Sequence, residues 1–271
     1  MNQIFELLTY PFFRNALLAV LFISIAAAMT GTYIITRRMV SLTGGITHAC
    51  FGGLGLGYFL GVNPIIMAAV FAVGSSAGVE WLASRYRVRE DSAVAVVWAL
   101  GMAVGVLFVF LTPGYVPELN SFLFGNILTV TSADLWTFGG FTALLIAFFA
   151  AFHSRIIAVA FDADFAKVSG LPVKFISYVM TVMVALCVVL TIKLVGIMLL
   201  MSMLSLPQMI AETRLRRFVP MMWGSVVISV ITCVAGLVMS IFVDVPCSAI
   251  IVLFQVFVFA VARALPRPRR S

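Results

Sequence analysis

The chain has 271 residues, of which 63% are hydrophobic and only 10% charged. A soluble domain carries about 25% charged residues, so a water-soluble globule is excluded. A disordered chain is excluded as well, since it needs low hydrophobicity and high charge. The net charge of +7 sits in short loops and the C-terminal tail, where it reads as membrane topology and not as a nucleic-acid surface.

The apolar runs are about 18–25 residues long, the length that spans a bilayer as helix. A transmembrane barrel would instead show alternating segments of about 10 residues. In chain order the predicted spans are 12–36, 42–60, 62–84, 93–112, 133–152, 175–192, 194–210, 219–243 and 247–263. Residues 1–11 read as an interfacial lead-in. The stretch 113–132 contains Phe122, Leu123, Phe124, Ile127 and Leu128, so a short re-entrant or interfacial helix is expected there. The expected fold is all-α: a polytopic transmembrane helical bundle of about nine spans, eight if the second run does not cross, forming one domain over 1–271. Of the 17 Lys and Arg, all but Arg14 and Lys193 fall on one set of loops. By the positive-inside rule that side is cytoplasmic. It includes the C-terminus, and an odd span count leaves the N-terminus outside. Lys193 is expected to snorkel to the interface.

Catalytic signatures are absent. There is no GxxxxGK[ST] phosphate loop, no HExxH and no GxSxG, so energy for any driven process must come from a partner or an ion gradient. Cys50, Cys187, Cys233 and Cys247 lie inside apolar runs without a CxxC spacing, which predicts buried thiols and neither disulfides nor structural zinc.

The second run is the most unusual. Gly45, Ala49, Gly53, Gly57 and Gly61 recur every four residues and place a line of small side chains on one side of a helix, where another helix can approach closely. His48 lies beside this line. It is one of two histidines in the chain and the one within a predicted span. Two readings stand: a buried neutral imidazole bonded to a carbonyl, or an intramembrane ligand on a transport path. The longest inner segment, 153–174, holds Phe161-Asp162-Ala163-Asp164-Phe165-Ala166-Lys167-Val168-Ser169-Gly170-Leu171-Pro172. Asp162 and Asp164 stand where a helix start favours carboxylates. Gly170 and Pro172 stop the helix, so a short amphipathic helix along the membrane face is expected. An Asp-x-Asp can also hold Mg²⁺ with a diphosphate, which would make the chain a membrane-embedded transferase.

Six segments together resemble one family: GGITHACFGGLGLGY (44–58), REDSAVAVV (89–97), FLFGNILTV (122–130), FDADFAKVSGLPV (161–173), VGIMLLMSMLSLPQMIA (195–211) and DVPCSAIIVL (244–253). In this order they are similar to the integral-membrane permeases of bacterial zinc, manganese and iron ABC transporters. The resemblance implies a homodimeric permease in the inner membrane and no enzymatic activity or cofactor of its own. It also implies a cytoplasmic ATPase subunit, an extracytoplasmic metal-binding protein, and a divalent metal cargo, zinc first and manganese or iron next. A metal chelate is the alternative cargo. The helix formed by Phe161, Asp162, Asp164, Phe165, Ala166, Val168 and Gly170 would match the family's ATPase-coupling helix. His48 falls on the family's intramembrane histidine. Members often carry an Asp four residues earlier, where this chain has Gly44. Thr47, Cys50 or backbone carbonyls are then the candidates to complete a site with His48, and thiolate and imidazole both suit zinc.

Overall fold

A computed structural model describes residues 9–86, 88–113, 125, 127–243 and 245–265. The expected features at Phe122, Leu123 and Phe124 lie outside the described residues. Ten helices are described: α1 (Pro11–Thr36), α2 (Val40–Leu60), α3 (Pro64–Tyr86), α4 (Glu90–Leu111), α5 (Ser132–Phe161), α6 (Ala163–Val168), α7 (Val173–Met203), α8 (Leu206–Glu212), α9 (Phe218–Val243) and α10 (Cys247–Ala264). A short 3₁₀ turn at Ile127–Thr129 precedes α5, and no strand occurs among the described residues.

Six helical stretches there are long and apolar enough to cross a membrane: α1, α4 from Asp91 onward, α5, the continuous Val173–Glu212 stretch, α9 and α10. Helix α2 has the length, but six of its 21 residues are glycine, which lowers its hydropathy. Helix α3 contributes a shorter apolar segment, Pro64–Val79. The predicted spans 175–192 and 194–210 are not separated by a loop. Helix α7 runs through both and breaks at Gly196 (φ 78°, ψ 173°), a conformation open to glycine and strained for any side chain. The span predicted at 133–152 is extended. Helix α5 bends at Phe152 (φ −114°, ψ 15°) and continues to Phe161, carrying the chain directly to α6.

The helices α1 and α7 form the centre of the bundle, with most of their residues buried. Helix α1 packs against α9, α5 and α7, and α7 also touches α3, α2 and α10. Where lipid replaces water, association depends on close packing and interhelical hydrogen bonds, and both occur. Ser229 donates to Ser24 at 3.0 Å, linking α9 to α1. Gln255 of α10 donates to Thr232 of α9 at 3.1 Å and accepts from Ser202 of α7. Gln208 of α8 donates to the Ala27 carbonyl at 2.8 Å, where Gly31 leaves room for its amide.

At the start of α5, Thr131 and Asp134 form a reciprocal capping box. Lys193 does not simply reach for the interface: it pairs with Asp134, tying α7 to this cap. Cys50, Cys187 and Cys233 are buried free thiols and Cys247 is half-buried.

Candidate functional site

Helix α2 is built around its glycines. A side chain at Gly45 would meet Val94 of α4 at 2.6 Å, and one at Gly52 would meet the Gly101 carbonyl at 2.8 Å. Ala49 sits against Gly101, and Gly55 against Gly105. Gly53 instead faces Met67 and Ala68 of α3, and Gly57 faces Pro64 at 2.6 Å. The predicted line of small residues is therefore shared between two neighbours in the same chain. Gly61 lies outside the helix, as its left-handed cap (φ 67°); a side chain there would touch nothing within 4 Å. The partners of the seam, Gly101 and Gly105, had a signal in the sequence: they form a GxxxG pair.

His48 lies on the α4 side of this seam. Its ring stacks on Trp98, with centroids 4.3 Å apart and planes 6° from parallel. The side chain is half-buried. Its Nδ1 is buried without a hydrogen-bond partner, so the carbonyl bond expected of a structural imidazole is not made at that nitrogen. Trp98 was not singled out from the sequence. Nothing there distinguishes it from any other aromatic residue in an apolar run.

The structure does not gather the three candidate ligands. The Thr47 hydroxyl donates to the Thr43 carbonyl at 2.7 Å, one turn back. Cys50 lies about 200° around the helix from His48 and is buried in the main core. Among the described residues no cluster of three or more His, Cys, Asp or Glu could hold a metal. At Gly44, where an acid would stand one turn before His48, the space faces the Met201 methyl, 3.2 Å from where a Cβ would be.

Helix α6 follows the sequence signals closely. Asp162 caps its start, accepting a hydrogen bond from the Phe165 amide at 2.9 Å. Asp164 lies in the first turn and Lys167 in the last, each complementing the helix dipole. The Gly170 amide bonds to the Lys167 carbonyl at 3.1 Å and the Leu171 amide to the Ala166 carbonyl at 3.0 Å. That double closure is a Schellman motif, and it requires the left-handed Gly170 (φ 78°). Ala166 is fully buried, and it anchors the helix. Phe161, Phe165 and Val168 are 61, 68 and 89% exposed. Asp162 thus serves as a helix cap, and among the described residues no third ligand-type side chain joins Asp162 and Asp164 to make a metal cluster.

Residues 9–265 match the ABC 3 transport family. The chain belongs to that family. It is accordingly the membrane permease of an ABC transport system, a multi-pass transport subunit; it is not an enzyme, and ATP hydrolysis belongs to another chain. An uncharacterized membrane protein of Synechocystis is 34% identical over 262 residues, covering 97% of this chain and 93% of that one. The manganese transport system membrane protein MntC of Halalkalibacterium halodurans is 30% identical over 257 residues, covering 95% and 88%. Among solved structures, PsaBC from Streptococcus pneumoniae in complex with Fab superposes with a TM-score of 0.87 at 26% identity, covering 98% of this chain and 95% of that one.

Proposed function

We propose that this permease, one domain over 1–271, imports a divalent first-row metal ion across the bacterial inner membrane. It works as a homodimer, fed by an extracytoplasmic metal-binding protein and driven by a cytoplasmic ATPase subunit. The observation that carries the cargo reading is His48: an imidazole within a helical bundle in lipid, stacked on Trp98, with a buried nitrogen left unbonded. Such a group is costly in a membrane unless it is used. The manganese-transport relative supports a metal cargo. The ligand chemistry leans toward zinc ahead of manganese or iron: Gly44 removes the carboxylate that a harder ion prefers, and imidazole suits zinc. Few fixed ligands also allow the ion to leave again.

The coupling reading rests on α6, where exposed apolar side chains project from a well-capped helix. The nine-span reading is supported by the stretch after Gly196. Leu199 lines a cavity with Pro246 and Cys247, and Glu212 lines another with Arg263. Residues 197–212 thus run from one end of α10 to the other. With α2 and α3 counted as crossings as well, the odd number supports termini on opposite sides, and the positive-inside rule favours a cytoplasmic C-terminus and an outer N-terminus.

The deciding experiment is ATP-dependent uptake, metal by metal, into vesicles carrying the permease, its ATPase and its binding protein. Zinc, manganese or iron accumulation that disappears without ATP supports the reading. Uptake of a metal chelate with none of the free ions would replace it.

A further inference from the structure

At the end of the bundle that carries α6, a cavity of about 730 Å³ opens between the ends of α1, α5, α8 and α10. Arg37 and Arg38 from the end of α1, Arg216 from the turn after α8, and Arg263 from α10 all line it. Glu212 is the one carboxylate among the described residues of the wall. None of these five is ion-paired among the described residues, where the one salt bridge joins Lys193 to Asp134 at the other end of the bundle. Arg37 is held in place by a 3.1 Å bond to the Val159 carbonyl and by the Tyr33 ring, 6.0 Å from its guanidinium carbon, which leaves most of its donors free. Arg38 is the one non-glycine residue with positive φ (58°) among the described residues. This is the left-handed position of the Schellman motif that ends α1, in which the Arg38 amide bonds to the Ile35 carbonyl at 3.0 Å and the Met39 amide to the Ile34 carbonyl at 2.9 Å.

Arginines that merely set topology snorkel outward and spread among headgroups. These four come from three separate segments to line one hollow, with Glu212 as the carboxylate beside them, so the wall carries a surplus of positive charge that suits an anion. We propose that the cavity holds the phosphate headgroup of an anionic phospholipid. Guanidinium forks match phosphate oxygens in bidentate geometry, and basic pockets between helix ends at the membrane face are suited to such headgroups. The apolar part of the wall favours a lipid over a free anion: Ile35, Val159, Met209 and Met221 line the cavity together with the arginines, offering a surface for the start of the acyl chains.

The test uses the full-length permease purified with its ATPase in mild detergent. Phosphatidylglycerol, phosphatidylcholine and inorganic phosphate are titrated in turn, with bound lipid read by native mass spectrometry and stability by thermal melting. Phosphatidylglycerol is expected to bind and raise the melting midpoint, while the other two do not. Arg38→Gln and Arg216→Gln should each weaken retention about fivefold, and the double variant about thirtyfold. Arg85→Gln, a charge on the same face but outside the cavity, should change nothing. If the double variant aggregates, Arg216→Gln alone, at an exposed turn, carries the test. The proposal is overturned by unchanged lipid retention in the variants, by an equal loss in Arg85→Gln, or by inorganic phosphate matching the lipid. Loss of the ATPase with lipid still bound would also overturn it, assigning the cavity to an acidic segment of that partner.

Discussion

Replacing Phe165 with Asp tests the coupling helix at its most informative position. Phe165 is 68% exposed, and an aromatic side chain has about 150–250 Å² to bury. Docking onto the ATPase can therefore cover about 100–170 Å² of its surface. At about 25 cal/mol per Å² that is worth about 2.5–4 kcal/mol, or roughly 70- to 1,000-fold in the association constant. The substitution also carries a charge into an apolar pocket, which adds to the loss. It does not harm α6 itself: position 165 is in the first helical turn, where a carboxylate is favoured by the dipole, and the Asp162 cap bonds to the backbone amide, which is unchanged. The permease should thus insert and fold normally while ATPase binding falls at least about 70-fold by the burial term alone. The assay is co-purification of the tagged permease with its ATPase, quantified by titration in detergent. An affinity within about twofold of the unaltered protein would refute the reasoning and remove α6 from the docking surface.

Three further outcomes are expected. His48→Gln should lower ATP-driven metal uptake by roughly tenfold or more while leaving assembly with the ATPase intact, since Gln keeps the size and loses the ligand; normal uptake in that variant would reduce His48 to a packing group. Gly101→Leu should cost about 3 kcal/mol or more, because the new side chain meets the Ala49 backbone, which cannot move aside like a flexible side chain; an unchanged melting midpoint in detergent would contradict this packing. Gly170→Ala should destabilise the end of α6 by about 1–2 kcal/mol through left-handed strain and weaken ATPase association in the same titration, with no effect expected on the bundle's own melting.

Local signals and global packing were not equally legible in the sequence. Helix α6 could be read nearly to the residue because its limits are set by local chemistry: a carboxylate at the start and a left-handed glycine at the end. Most spans could be read because hydropathy over about 20 residues is a physical requirement of the bilayer. The break at Gly196 could not be read, since a single glycine in an apolar run gives no sign of whether its freedom is used. The Lys193–Asp134 pair joins residues 59 positions apart, beyond the reach of any local pattern.

The glycine line of α2 shows why spacing alone misled. A four-residue step advances about 400° along a helix of 3.6 residues per turn, so each step drifts about 40° from the last. Gly45 and Ala49 therefore still face α4, while Gly53 and Gly57 have turned to α3. A seven-residue step drifts only about 20°, which is why Gly52 returns to the α4 face with Gly45 and meets Gly101. The same arithmetic places His48 on the α4 side, against Trp98, and carries Cys50 to the opposite side, into the core. The close approach of α2 and α4 and the position of His48 are consequences of a single seam. A residue added anywhere along that seam should shift His48 as well as the packing, and for this reason the histidine and the glycines have to be tested by separate substitutions.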